Sequence, residues 1–115
     1  MSDIKNLTDK FIRFREERDW GQFHTPKDLA ISLTLEAAEV LEHFQWKTED
    51  EIKEYTKTHK EHIGEELADV MSWILIMSHD LDIDIIEACN KKMEKNALKY
   101  SVEKAKGKHT KYTEL

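Results

Sequence analysis

Two stretches of this chain, LTLEAAEVLEHF (residues 33–44) and GEELADVMSWILIM (64–77), repeat apolar residues at intervals of three and four. That period belongs to a helix with one buried face; a strand would alternate its faces every second residue. Both stretches also carry acids close to the apolar stripe, where a helix built only for solubility would not put them. Helical phase can be assigned at about 100° per residue. With Val40 as origin, Leu33, Phe44 and Ala37 fall within about +20° to +60°, Glu36 near about −40° and Glu39 near about −100°. Glu42 falls on the opposite, solvent side. With Val70 as origin, Ile63, Ile74 and Leu67 fill the same sector, Glu66 falls near about −40° and Asp69 near about −100°. Glu65 faces water. The two segments therefore carry one device, an i, i+3 acid pair on the same edge of a buried face.

The rest of the chain supports an all-α fold. Only three Gly and one Pro punctuate 115 residues, too few for an all-β chain of short strands. Four helices are expected, arranged as a four-helix bundle-like domain. The first spans about residues 3–18, striped by Ile4, Leu7, Phe11 and Phe14. The second spans about 26–46, with Thr25 as N-cap, Pro26 at its first position and a stripe of Leu29, Leu33, Ala37, Val40, Leu41 and Phe44. The third spans about 60–79, striped by Ile63, Leu67, Val70, Ile74, Met77 and Leu81. The fourth spans about 85–100, capped by Asp82 or Asp84 and carrying Ile86, Cys89, Met93 and Ala97. Residues 48–62 are polar and read as a solvated connector, with a cap at Thr48 and at most a short helical turn. The domain is set at residues 1–100. The Lys-rich tail, 101–115, has no apolar period and is expected to be loose or ordered only against another chain.

Charge narrows the partners. With 18 basic and 24 acidic residues the formal charge is −6, a poor match for a nucleic-acid polymer, whose affinity comes from Lys and Arg meeting phosphates. No apolar run reaches the length of a membrane span. The lone Cys89 excludes an internal disulfide and fits a reducing compartment, so a cytoplasmic protein is expected. A single domain of this size has a modest core, which favours oligomerisation.

A carboxylate at a buried edge costs several kcal/mol unless something compensates it (~3–5 on breaking a buried pair). If the second and third helices pack side by side, Glu36, Glu39, Glu66 and Asp69 converge, and like charges that close raise one another's pKa or recruit a cation. Oxygen-only ligands select a hard divalent ion, Mg²⁺ with Mn²⁺ as a substitute; one thiol and no paired His argue against zinc. On periodicity alone a second reading stands beside this one: Glu-rich helices place acids beside the core with Lys or Arg folded over them.

Three further groups stand out. Trp20 in a loop and Trp46 at a helix end lie off the core stripes, and such aromatics mark contacts, with a stacked base or with a subunit interface. Trp73 falls between Glu66 and Asp69 in phase, and His43 holds the equivalent place on the second helix; His24 follows Trp20 in the same loop. Lys91, Lys92, Lys95 and Lys99 recur along the fourth helix, as a phosphate-binding face or a solvated one.

ExxE followed by ExxD resembles the signature of the MazG-like, all-α nucleotide pyrophosphohydrolases. ERDWGQFHTPKDL (17–29), EAAEVLEHFQWK (36–47), EELADV (65–70), KMEKNALKY (92–100) and KYTEL (111–115) resemble the dCTP pyrophosphatase branch. The resemblance implies Mg²⁺-dependent hydrolysis of a nucleoside triphosphate, dCTP or a modified dCTP first, to the monophosphate and pyrophosphate. It implies Glu36, Glu39, Glu66 and Asp69 as metal ligands; beside that, Glu39 is our candidate for the carboxylate that positions or deprotonates the attacking water. Trp20, Trp46 and Trp73 match residues around the base, and Lys92, Asn96, Lys99 and Tyr100 match a segment that handles phosphates. It also implies a homodimer or homotetramer. Phe11 stands where that branch carries His, Trp73 where it carries Tyr, Lys99 where it carries Arg and Ser101 where it carries Pro. The Phe11 departure bears on base selectivity more than on the chemistry. A broader pyrophosphohydrolase acting on dUTP or damaged purine triphosphates, and a non-catalytic helical oligomerisation or metal-binding module, are the alternatives.

Overall fold

A computed structural model describes residues 2–115. Among them are six α-helices, two short 3₁₀ turns at Gly21–Phe23 and Tyr112–Glu114, and no strand. The chain divides into two compact units, the first ending at Asp82 and the second spanning Ile83–Leu115.

The first unit holds α1 (Asp3–Glu17), α2 (Pro26–Glu42), α3 (Glu49–Thr58) and α4 (Lys60–Asp80). α4 is its spine: it packs most extensively on α2, and α1 and α3 also lie against it. The caps are local and explicit. The Ser2 hydroxyl accepts from the Lys5 amide, and Thr25 accepts from the Asp28 amide with Pro26 at the first position of α2.

Residues 49–58 correct the expected connector. They form a ten-residue helix, opened by a full capping box in which Thr48 accepts from the Glu51 amide while the Glu51 carboxylate accepts from the Thr48 amide. Ile52 and Tyr55, three residues apart, are half-buried, Tyr55 against His43 and Phe44, and α3 packs on α4. α2 in turn stops at Glu42, short of the expected 46. The amides of His43 and Phe44 bond three residues back instead of four, which tightens the chain into turns and leaves Trp46 outside the helix.

The core is thin. Leu29, Leu75 and Ile76 are the buried apolar side chains of the described residues. Leu67, expected on the stripe of α4, is 53% exposed, and Leu41, Phe14 and Leu81 are also exposed. Burial on α4 shifts toward its C-terminal half because that is where Leu75, Ile76 and Ser78 are enclosed.

α1 ends in a Schellman turn. Asp19 adopts φ 53°, its amide bonds Glu16, and the Trp20 amide returns to the Arg15 carbonyl at 3.1 Å. This turn fixes where Trp20 leaves the helix. A non-glycine residue there carries left-handed strain, so Asp19→Gly is expected to stabilise the protein by about 1 kcal/mol. A urea midpoint that falls instead of rising would show that Asp19 contributes more than its backbone conformation costs.

In the second unit α5 (Ile85–Lys99) is capped by Asp84, whose carboxylate accepts from the Glu87 amide at 3.0 Å. A short α6 (Val102–Ala105) follows. The tail is not loose within this unit: the Tyr112 ring meets Tyr100 edge-on at 5.9 Å, and the Lys99 ammonium lies 4.6 Å from the centre of the Tyr112 ring. Leu98 is 86% exposed and Met93 is exposed on the same helix.

Candidate metal centre

Packing of α2 on α4 brings the two acid pairs together. Glu36, Glu39 and Glu66 each offer a carboxylate oxygen, and these three atoms lie within 4.8 Å of one another. Asp69 stands outside that triad but close enough for its charge to push up the pKa of both Glu36 and Glu66. The shared helical phase of the acids is therefore realised as a shared place in space.

The electrostatics are those of an uncompensated cluster. Oε2 of Glu36 and Oε2 of Glu66 are buried and accept no hydrogen bond. Burial is the main cause raising the Glu36 pKa, followed by Glu39 and Asp69, while Trp73 acts the other way, its indole N–H favouring the charged form. Glu66 is pushed up to about 6, first by Glu39, then by burial and by the charges of Asp69 and Glu36. No Lys or Arg pairs with any of the four acids among the described residues. The reading in which a basic side chain folds over them is thus not what the structure shows. An all-oxygen donor set with two orphaned buried oxygens fits a hard divalent cation.

A second polar cluster adjoins the first. Arg15 is buried on α1 and forms a bidentate pair with Asp80 of α4, Nη1 donating to Oδ2 at 2.7 Å and Nη2 to Oδ1 at 2.9 Å. The pair holds Asp80 below the usual carboxylate range. Arg15 Nη1 also reaches His24 Nδ1 at 3.5 Å, and the His24 ring meets Trp73 edge-on at 5.4 Å. Sequence reasoning missed Arg15 and Asp80, since each reads as an ordinary surface charge.

The two clusters predict an unusual acid response for the metal-free protein. The folded-state pKa of Glu66, about 6, lies above its ordinary 4.5, so the folded form takes up the proton first. Stability should rise as pH falls through 6, and that gain is complete below 4.5. Asp80 is shifted down from 3.8, so its contribution holds above that value and is lost at lower pH. Urea denaturation in EDTA is expected to give higher stability near pH 5 than at pH 7, then a fall below the ordinary Asp range. A steady decline from pH 7 to 5 would contradict the crowding of these acids.

The aromatic candidates are dispersed. Trp20 is 47% exposed, with its ring edge-on to Phe14 at 5.7 Å and the Arg18 guanidinium against Phe14. Trp46 is 87% exposed and has no ring partner among the described residues. Trp73 is half-buried beside Glu36. His43, equivalent in phase to Trp73, turns to α3, its Nδ1 2.5 Å from the Tyr55 hydroxyl. Tyr55 is in turn stacked on His59 and approached by Lys47. In the second unit Lys91 is paired with Glu87 at 2.7 Å, while Lys92, Lys95 and Lys99 meet no carboxylate among the described residues. Asn96 is half-buried and Tyr100 partly exposed there.

The MazG-like family profile matches residues 31–115, a span that includes all four acids. The chain belongs to the MazG-like family. The family is one of nucleotide pyrophosphohydrolases, and the chain is an enzyme of that class. Over its full length it is 35% identical to mouse dCTP pyrophosphatase 1 and 34% identical to the human protein of that name, in each case aligning with 67% of the relative. Among solved structures, a pyrophosphatase from Archaeoglobus fulgidus is 41% identical, with a TM-score of 0.83, covering 88% of this chain and 94% of that one. Among the described residues no helix is long and apolar enough to cross a membrane.

Proposed function

We propose that this chain hydrolyses a nucleoside triphosphate, with dCTP or a modified dCTP the preferred substrate, to the nucleoside monophosphate and pyrophosphate. The observation that carries the proposal is the triad of Glu36, Glu39 and Glu66, with two buried carboxylate oxygens that lack a partner. The resemblance to dCTP pyrophosphatases over the whole chain favours the substrate.

In this reading Glu36, Glu66 and Asp69 hold Mg²⁺, with Mn²⁺ as a substitute, and Glu39 completes the set. The divalent ion would neutralise charge on the phosphate oxygens and acidify the attacking water. Glu39 is the exposed member of the triad and the one accessible to bulk water. A carboxylate oxygen of Glu39 would orient that water and take its proton. Trp20, Trp46 and Trp73 would bind the base, a role that suits the exposed faces of Trp20 and Trp46. Lys92, Asn96, Lys99 and Tyr100 would bind phosphates, and Lys92 and Lys99 have no carboxylate competing for their charge among the described residues.

The same reading takes residues 1–100 as the catalytic domain with 101–115 as its tail, in a cytoplasmic homodimer or homotetramer. The exposed apolar side chains favour assembly. Ile31 and Leu35 line an open apolar hollow of about 300 Å³ on α2, and Leu67 and Met71 are exposed on α4.

Incubation with the eight common triphosphates and Mg²⁺, with pyrophosphate release followed, tests the proposal. Release from dCTP above the others is the expected result. Preference for dUTP or a purine triphosphate would replace the substrate assignment, and inertness toward all of them and toward modified nucleotides would leave a non-catalytic module.

A further inference from the structure

Arg15, His24 and Trp73 form a column that starts at the ion pair of buried Arg15 with solvent-accessible Asp80 and ends beside Glu36. Its members come from α1, the loop before α2, and α4. The order of hydrogen bonding along it is set by chemistry. A guanidinium donates and never accepts, so in its 3.5 Å contact with Arg15 Nη1 the His24 Nδ1 is the acceptor. Arg15 is itself held in place, because both its Nη atoms donate to Asp80 and its side chain is only 8% exposed. The His24 ring presents itself edge-on to Trp73, with centroids 5.4 Å apart and planes at 74°, a favourable aromatic pairing. Trp73 neighbours Glu36, whose buried Oε2 has no partner of its own.

We infer that His24 is a positioning residue for the acid cluster: tethered by the Arg15–Asp80 pair, it fixes the Trp73 indole beside Glu36 and so sets the Glu36 carboxylate for a divalent cation. His24 does this without touching the cation. Metal-ligating groups depend on such outer partners, whose loss lowers metal affinity by roughly 10–100-fold. The inference rests on the metal reading above, but half of its test does not.

Two substitutions separate the two contacts of the ring. His24→Phe keeps an aromatic ring against Trp73 and removes the acceptor for Arg15. His24→Asn keeps an acceptor oxygen and removes the ring. In the full-length protein the indole N–H resonance of Trp73, identified by its loss in Trp73→Phe, is expected to move in both variants without any metal or nucleotide. Titration with Mn²⁺ alone is expected to show affinity at least about 10-fold weaker than in the unaltered protein. Helical circular dichroism verifies folding, and either variant suffices if the other does not fold. A Trp73 resonance that stays in place in a folded variant overturns the inference, as does unchanged Mn²⁺ affinity. A lower melting temperature with both readouts unmoved would mark His24 as a plain packing residue. If the unaltered protein binds no Mn²⁺, the metal reading fails and the inference with it, whatever the resonance does; a static resonance with normal Mn²⁺ binding sinks the positioning role alone.

Discussion

Glu36→Gln and Glu66→Gln are each expected to abolish metal-dependent pyrophosphate release while making the metal-free protein more stable. The two effects have one cause. Each side chain buries a carboxylate oxygen with no hydrogen-bond partner, in a cluster whose remaining members are also acidic. Burial and Glu39 push both pKa values upward, so the charged form is the disfavoured one in the folded protein. An amide of the same shape carries no charge to repel Glu39 and Asp69, and it is a weaker ligand for a hard cation. A metal contribution of several kcal/mol to the transition state corresponds to a loss of at least about 100-fold in rate. The checks are pyrophosphate release with Mg²⁺ and melting in EDTA against melting with Mn²⁺. Stabilisation by Mn²⁺ is expected in the unaltered protein and absent from both variants. Full activity in either, or a lower melting temperature in EDTA, would contradict a cation-binding cluster.

Asp80→Ala is expected to be among the most destabilising single substitutions in the first unit. It leaves the Arg15 guanidinium buried, with its side chain 8% exposed and its carboxylate partner gone. The other carboxylate nearby, Glu16, lies 3.7 Å from Arg15 Nε on a side chain 65% exposed, so it offsets the lost pair only in part. Stranding one member of a buried ion pair costs about 3 kcal/mol or more. In a protein of this size that lowers the melting temperature by on the order of 10–20 °C. The double substitution Arg15→Leu with Asp80→Ala removes the stranded charge and is expected to recover most of that loss, because an apolar side chain at the buried Arg15 position leaves no unpaired charge there. A double variant as unstable as Asp80→Ala would show that the pair contributes geometry that apolar packing cannot replace.

How much of this was legible beforehand depends on how local the signal is. The meeting of Glu36, Glu39 and Glu66 could be read from phase, because two helices that bury matching stripes against each other bring matching edges together. The third helix of the first unit has a local signal that its charge density masks. Thr48 and Glu51 have the spacing of a capping box, and Ile52 and Tyr55 share a face behind it, yet ten charge-dense residues read as solvent-facing. Arg15 gave no signal of its own. Its burial depends on a partner that approaches only in three dimensions, and α1 carries several other basic residues that remain exposed. The packing of Tyr112 on Tyr100 and Lys99 has the same character, since nothing periodic connects residues on either side of α6. The shift of the α4 core toward Leu75 and Ile76 follows from which stretch of that helix its neighbours enclose, a property a helical wheel does not contain.

The pairing of Arg15 with Asp80 also constrains the order in which the fold assembles. The two residues lie 65 apart in sequence, so joining them closes almost the whole first unit into one loop. Contacts of that span carry a large entropic cost until the intervening helices are already docked. The α2–α4 pairing, which gathers the acids, can form without it; the column from Arg15 through His24 to Trp73 cannot. Substitutions at Asp80 should therefore speed unfolding and leave the refolding rate nearly unchanged, the kinetic mark of an interaction made after the transition state. The acids would then be gathered early and their surroundings fixed last.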